Sequence, residues 1–171
     1  MLENIPQFVP NETCLSCDGC CRFAEAQSIW RPKVVPEEIE DLGTCSDQVR
    51  PQLEQGLIIR AVEQEGQVQC ALFQPQENRC GIYGHHPLEC RLYPFLLLER
   101  EKGLAIGVHL NCPYIQERRQ HSDFTEHVKT LKQFLRRKGI RDFLKKNRIL
   151  AQEYASYQQQ IEDLFMLELD Q

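Results

Sequence analysis

No stretch of this sequence stays apolar for long: its longest strongly apolar run is Phe95–Leu98, far short of the ~20 residues a helix needs to cross a bilayer. The first ten residues hold Glu3 and Pro6 and offer neither a basic start nor an apolar core, so no secretory leader is expected. The expected setting is the cytoplasm, with no membrane association. There is also no Ser-His-Asp order, no glycine-rich nucleotide loop, no paired-carboxylate motif and no recognisable S-adenosylmethionine site. Internal repeats and low-complexity tracts are missing too, which sets aside solenoids and disordered linkers.

What remains is an ordinary globular composition. At 171 residues, with 42% hydrophobic and 26% charged residues, the chain is sized for one domain, or one domain with an appendage. The unusual feature is nine cysteines. In a reducing compartment thiols stay reduced, so a count this high points to metal or redox chemistry rather than to a disulfide framework.

The cysteines are not scattered. Cys14, Cys17, Cys20 and Cys21 form a C-x2-C-x2-C-C run, with Gly19 expected to relieve crowding where the loop folds its sulfurs inward. Ligands at this spacing converge on one centre within a tight loop, as in zinc ribbons and bacterial ferredoxins. Cys70, Cys80, Cys90 and Cys112 are too far apart for a local loop, so only the tertiary fold can bring them in. Those eight are the candidate metal ligands. Cys45, in Gly43-Thr44-Cys45-Ser46, has no partnered spacing and reads as an ordinary helix-end thiol.

The secondary-structure signals suggest an α+β fold. Met1–Glu12 reads as an extended lead-in and Cys14–Cys21 as a compact loop. A helix is expected from Pro36, with Glu37 and Glu38 at its positive end. Short β-favouring segments at 57–62, 68–73, 94–98 and 104–108 predict a small, mostly antiparallel sheet. From Ser122, a plausible N-cap, Phe124, Val128, Leu131, Phe134 and Leu135 recur at helical spacing up to Gly139, and Ile140–Asn147 follows as a second helix. Leu150, Tyr154, Tyr157, Ile161 and Leu164 predict a third. The expected organisation is a cysteine-rich, metal-centred domain over 1–121 and a C-terminal helical segment over 122–171 packing on it.

The motif order Cys14-Leu-Ser-Cys17-Asp-Gly-Cys20-Cys21-Arg22-Phe23, Cys70-x-x-Phe73, then Cys80-Gly-Ile82-Tyr83-Gly-His-His-Pro87-Leu-Glu-Cys90-Arg91-Leu-Tyr93-Pro94 resembles the YkgJ-type cysteine-cluster family. The resemblance spans about Cys14 to Cys112 and implies zinc or iron chelation. Flagellin lysine methylases carry a similar module within longer chains. One departure is His86, where the family often has arginine before the proline.

Both zinc and iron–sulfur centres accept tetrahedral thiolates. The ferredoxin-like spacing and the Cys112-Pro113 step favour an iron–sulfur cluster, while zinc needs only four ligands and also accepts histidine. His85 and His86, in a turn, read as surface or capping groups. Two further residues are candidates beside the cofactor: His109 as a donor to a ligand sulfur and Arg91 as a counter-charge to the thiolates. The expected function is electron transfer or assistance to an oxidoreductase; the alternatives are a zinc-stabilised binding module and a metal storage or delivery protein.

A second signal is electrostatic. Lys129, Lys132, Arg136, Arg137, Lys138, Arg141, Lys145, Lys146 and Arg148 are opposed only by Asp142. The segment 129–148 is therefore a candidate docking face for an acidic protein partner, and the overall pI near 5.6 argues against generic nucleic-acid binding.

Overall fold

A computed structural model describes residues 5–17 and 19–169. The chain divides into two compact units, Pro10–Cys90 in one and Met1–Val9 with Arg91–Gln171 in the other. The division expected at residue 121 thus falls inside the second unit.

The Pro10–Cys90 unit opens with a helix, α1 (Asn11–Ser16), where the end of the extended lead-in and the start of the compact loop were expected. Pro10 supplies the carbonyl that accepts from the Cys14 N–H at 2.9 Å, and Glu12 lies in the first turn, where the helix dipole favours an acid. A 3-10 turn over Gly19–Cys21 leads into β1 (Arg22–Phe23). Then follow α2 (Pro36–Asp41), α3 (Ser46–Val49), β2 (Leu53–Glu54), β3 (Ile58–Ile59), β4 (Ala61–Gln64), β5 (Gln67–Cys70), β6 (Phe73–Gln74) and β7 (Arg79–Cys80), and α4 (Leu88–Leu92) begins at the unit's end. The strands make one three-stranded antiparallel sheet, β1-β5-β4, and two small ribbons, β2-β3 and β6-β7. Their shared core gathers Phe23, Val34, Ile39, Leu42, Val49, Ile59, Cys70, Leu72, Phe73 and Ile82.

α2 starts at Pro36 as expected, and Glu38 does more than complement its dipole. Its buried carboxylate accepts from the Val35 N–H at 3.0 Å, closing the helix's first turn, and from the Leu88 N–H at 2.5 Å at the start of α4. One side chain therefore pins the segment that carries Cys90. Glu38→Ala leaves two buried N–H groups without this acceptor and is expected to lower the unfolding free energy by about 3 kcal/mol, read by denaturant titration. A loss under ~1 kcal/mol would show that water or another acceptor replaces the carboxylate.

The second unit is built on β8 (Phe95–Arg100) and β9 (Gly103–His109), followed by α5 (Pro113–Arg118), α6 (Ser122–Leu135), α7 (Lys138–Lys146) and β10 (Ile161–Met166). β9 is the middle strand, antiparallel to both β8 and β10. Gly107 lets the strands approach: a Cβ there would stand 2.5 Å from Leu98 Cδ1, 2.9 Å from Ile161 Cγ2 and 3.0 Å from the Glu162 carbonyl. Phe8, Phe95, Tyr114, Phe124 and His127 pack ring against ring, with His127 stacked on Phe95 at 5.3 Å.

Three expectations for the tail need correction. His121, not Ser122, occupies the N-cap of α6, and no side chain there caps the helix. Gly139 does not end that helix, which stops at Leu135; it sits inside α7. The third helix is absent. Leu150 closes a 3-10 turn, Tyr154 takes a left-handed backbone at φ 51°, a second 3-10 segment covers Ala155–Gln160, and Ile161 and Leu164 belong to β10. Pairing with the open edge of β9 outweighs helical spacing, as tertiary context does for short segments. The single sheet expected across 57–108 is likewise split, into the three-stranded sheet and two ribbons of the Pro10–Cys90 unit and the three-stranded sheet of the second unit.

Among the described residues, no helix is long and apolar enough to cross a membrane. Part of the basic stretch is engaged within its own unit: Arg136 pairs with Glu168, Arg148 with Glu99, and Lys132 lies over the Phe165 ring.

Candidate metal centre

Seven of the eight candidate ligands, Cys14, Cys17, Cys20, Cys21, Cys70, Cys80 and Cys90, lie in the Pro10–Cys90 unit. Local geometry brings them in by three routes. α1 and the 3-10 turn after it carry the first four. The strand ends at the β6-β7 ribbon carry Cys70 and Cys80: Cys70 closes β5, Cys80 closes β7 opposite Phe73, and the Gly81 N–H bonds the Leu72 carbonyl at 2.7 Å. α4, tied at its start to Glu38, carries Cys90. Further bonds hold the N-terminal segment to this region: Tyr83 Oη donates to Asn11 Oδ1 at 3.0 Å, and Asn78 Nδ2 donates to the Leu15 carbonyl at 2.7 Å.

The thiols feel one another. Burial pushes Cys14 up to about 11, with Cys20, Cys17 and Cys80 adding to the rise and a hydrogen bond to Tyr83 opposing it. Burial pushes Cys70 up to about 12, helped by Cys80 and Cys20. Cys80 rises for the same first reason, with Cys20 and Cys45 contributing. Cys21 is raised chiefly by its hydrogen bond with Cys20 and then by burial. Cys90 is raised well above the ordinary thiol range, first by burial and then by Cys70, Cys80, Cys20 and Glu89. Cys90 is nonetheless exposed at its surface, so its crowding comes from one side. Cys20 contributes to the rise of all five.

Set against this repulsion are backbone donors aimed at sulfur. The N–H groups of Leu72 and Phe73 bond Cys70, and that of Ile82 bonds Cys80, each favouring the thiolate. All nine cysteines are free thiols. Among the described residues, no three His, Cys, Asp or Glu side chains stand in the arrangement a metal ion needs. The donor set itself suits zinc or iron: soft sulfur ligands, N–H groups ready to stabilise their anions, and a graded exposure from buried Cys70 to exposed Cys17, Cys20 and Cys90.

Cys112, His109 and Arg91 belong to the second unit. Cys112 is buried at the N-cap of α5, where Pro113 takes the first helical position; the helix start is itself a reason for that Cys-Pro step. His109 is at the end of β9, its Nδ1 3.0 Å from Tyr93 Oη, and burial holds its pKa below the usual value. Arg91 is half-buried in α4, next in sequence to Cys90. His85 is exposed, and the His86 ring meets that of Tyr83 edge-on at 4.8 Å. Gly19 is not demanded by sterics here, since a Cβ would sit at an ordinary 3.6 Å from Cys17 Sγ.

Sequence reading missed the backbone donors. The donors had a signal: in Cys70-x-Leu72-Phe73 and Cys80-x-Ile82, the two- and three-residue offsets return an N–H to the sulfur. Glu89 was missed as well. It accepts from the Lys33 N–H at 2.7 Å, and burial raises its pKa to about 7 against the opposing pull of Lys33.

A thiol-rich α+β unit with this donor set defines a soft-metal chelator. A family model described as "Putative zinc- or iron-chelating domain", with the signature CxxCxxCC, matches residues 13–134, and the chain belongs to that family. No curated protein and no solved structure matches it.

Proposed function

We propose that the Pro10–Cys90 unit holds iron in its cysteine cluster as an iron–sulfur centre and exchanges electrons with an oxidoreductase partner. The observation that supports this reading is that the ferredoxin-like Cys14, Cys17 and Cys20 spacing lies in one unit with Cys21, Cys70, Cys80 and Cys90, each of Cys14, Cys21, Cys70, Cys80 and Cys90 being within electrostatic reach of Cys20. Cys14, Cys17, Cys20, Cys21, Cys70, Cys80 and Cys90 are the residues that would hold it. An iron–sulfur centre supplies one-electron redox chemistry when bound. The chain's own contribution is the N–H groups on Cys70 and Cys80, which stabilise sulfur charge, and the exposed edge formed by Cys17, Cys20 and Cys90, which leaves one side open to a partner. In the same reading, an acidic partner protein docks on the basic stretch 129–148, where Lys129 and Lys138 are exposed.

A zinc-stabilised module is the second reading, favoured by Cys70 and Cys80 packing into or against the hydrophobic core, where a metal would reinforce a small fold. The exposed thiols are also what a storage or delivery protein would need. Anaerobically isolated protein is expected to be coloured, to contain iron and acid-labile sulfide, and to bleach on reduction. Stoichiometric zinc in a colourless, redox-silent protein from iron-replete cells would reject the iron–sulfur reading and promote the zinc module.

A further inference from the structure

The helix α7 (Lys138–Lys146) turns its apolar residues inward: Ile140, Phe143 and Leu144 are buried, and so is Asn147 at its end, its Nδ2 donating to the Phe143 carbonyl at 3.1 Å. The helical period then sends Lys138, Asp142, Lys145 and Lys146 to the exposed side. Just past the helix, the 3-10 turn over Arg148–Leu150 is anchored by buried Leu150 and leaves Ile149 on the outside, 52% exposed, more than Leu15 or Met166. A branched apolar side chain thus stands open beside a lysine-rich helix face.

Three kinds of negatively charged occupant can be compared. A bilayer needs several apolar side chains to insert, and those of α7 face the core, leaving Ile149 alone. Nucleic acid is held by guanidinium forks and by stacking on aromatic rings. Here Arg136 is paired with Glu168 and Arg148 with Glu99, Arg137 lies over the Phe134 ring at 5.0 Å, and Phe134 and Phe143, the aromatic residues of 129–149, are buried. What the outer side offers is ammonium groups beside one apolar side chain. That combination suits a protein surface, where an apolar contact is ringed by charge.

We propose that the outer side of α7 and the turn after it form the surface on which the acidic partner protein docks, with Ile149 seated in an apolar socket and Lys138, Lys145 and Lys146 facing carboxylates around it. This rests on the reading that the stretch 129–148 meets an acidic protein, and adds which residues meet it and what is recognised besides charge. The lysines speed the encounter, and Ile149 sets how long the complex lasts.

The probes are two short fluorescent peptides rich in glutamate, one with a central leucine and one with alanine in its place, titrated with the full-length protein and read by anisotropy. The leucine peptide should bind at least about fivefold more tightly, and raising salt from about 50 to about 500 mM should weaken both at least about tenfold. Ile149→Ser should erase the difference between the peptides and leave the alanine peptide unchanged. The double change Lys145→Glu and Lys146→Glu should weaken both at least about tenfold, whereas Lys102→Glu, at an exposed lysine between β8 and β9, should weaken neither. All four side chains are exposed, and near-ultraviolet dichroism checks that each variant is folded. If both peptides bind alike and Ile149→Ser changes nothing, the inference fails while acidic docking stands. If neither peptide binds, or Lys102→Glu weakens binding as much as the α7 changes do, the docking reading fails and the inference with it. Tighter binding of a short DNA duplex or of phosphatidylserine vesicles than of the leucine peptide would overturn the choice of a protein as the occupant.

Discussion

Cys17→Ser and Cys90→Ser are each expected to strip metal from the protein and to lower its resistance to heat and protease, while disturbing the metal-free form much less. The two thiols come from the two ends of the Pro10–Cys90 unit, one just after α1 and the other in α4. Cys17 is exposed, so replacing its sulfur with oxygen should move the metal-free unfolding free energy by no more than ~0.5 kcal/mol, whereas the Cys90 sulfur is buried on one side and its replacement should cost about 1 kcal/mol. With metal bound the account differs, because each serine replaces a soft ligand with a poor one and frees one end of the chain from the centre. Every tenfold loss of affinity removes about 1.4 kcal/mol of metal-linked stability at saturating metal. Glu99→Gln is the control: it alters a surface pair with Arg148 in the other unit and should change neither metal content nor unfolding by more than ~1 kcal/mol. Full metal content and parental unfolding in both serine variants would remove these residues from the ligand set.

Ending the chain after His121 should abolish the fold of the second unit. The tail supplies buried Phe124, Leu131, Phe134, Leu135, Ile140, Phe143, Leu144, Leu150 and Ile161. At ~1.5–3 kcal/mol for each large apolar side chain, their loss exceeds the ~5–15 kcal/mol that holds a domain together. Removing β10 also opens the edge of β9, where Leu104, Ile106 and Val108 are buried, and an unpaired apolar strand edge templates aggregation. The truncated chain should collect in the insoluble fraction, and whatever stays soluble should lack native near-ultraviolet dichroism from the Phe8–Phe95–Tyr114 cluster. A soluble, native-like 1–121 fragment would show that the tail is an appendage after all.

The parts of the fold legible in the sequence are those fixed by local chemistry. Pro36 followed by Glu37 and Glu38 marks the start of α2 because each residue suits its position independently of the rest of the chain. The repeat from Phe124 to Leu135 is long enough to define α6. Leu150, Tyr154, Tyr157, Ile161 and Leu164 repeat just as regularly, but two 3-10 segments and a strand share them; what decides their fate is the free edge of β9, which is more than forty residues away and leaves no trace in their spacing.

The candidate centre divides in the same way. The C-x2-C-x2-C-C run announces itself because its members are neighbours. Cys45 does not, because a glycine turn, not a spacing, sets it against the core that Cys21 and Cys80 also touch. Glu38 reads in the sequence as a helix-end acid, and Glu89 carries no signal of its own. Only the fold shows Glu38 buried and Glu89 half-buried, accepting from the backbone of Val35, Leu88 and Lys33 beside the segment that carries Cys90.

The central claim is that thiolates of the Pro10–Cys90 unit bind the metal, and X-ray absorption at the metal edge of anaerobically isolated protein tests it most directly. A first shell made of sulfur alone, at about 2.3 Å for zinc or a comparable distance for iron with a further iron neighbour, is the predicted result. A first shell dominated by nitrogen or oxygen, or protein that retains no metal under anaerobic isolation, would contradict it.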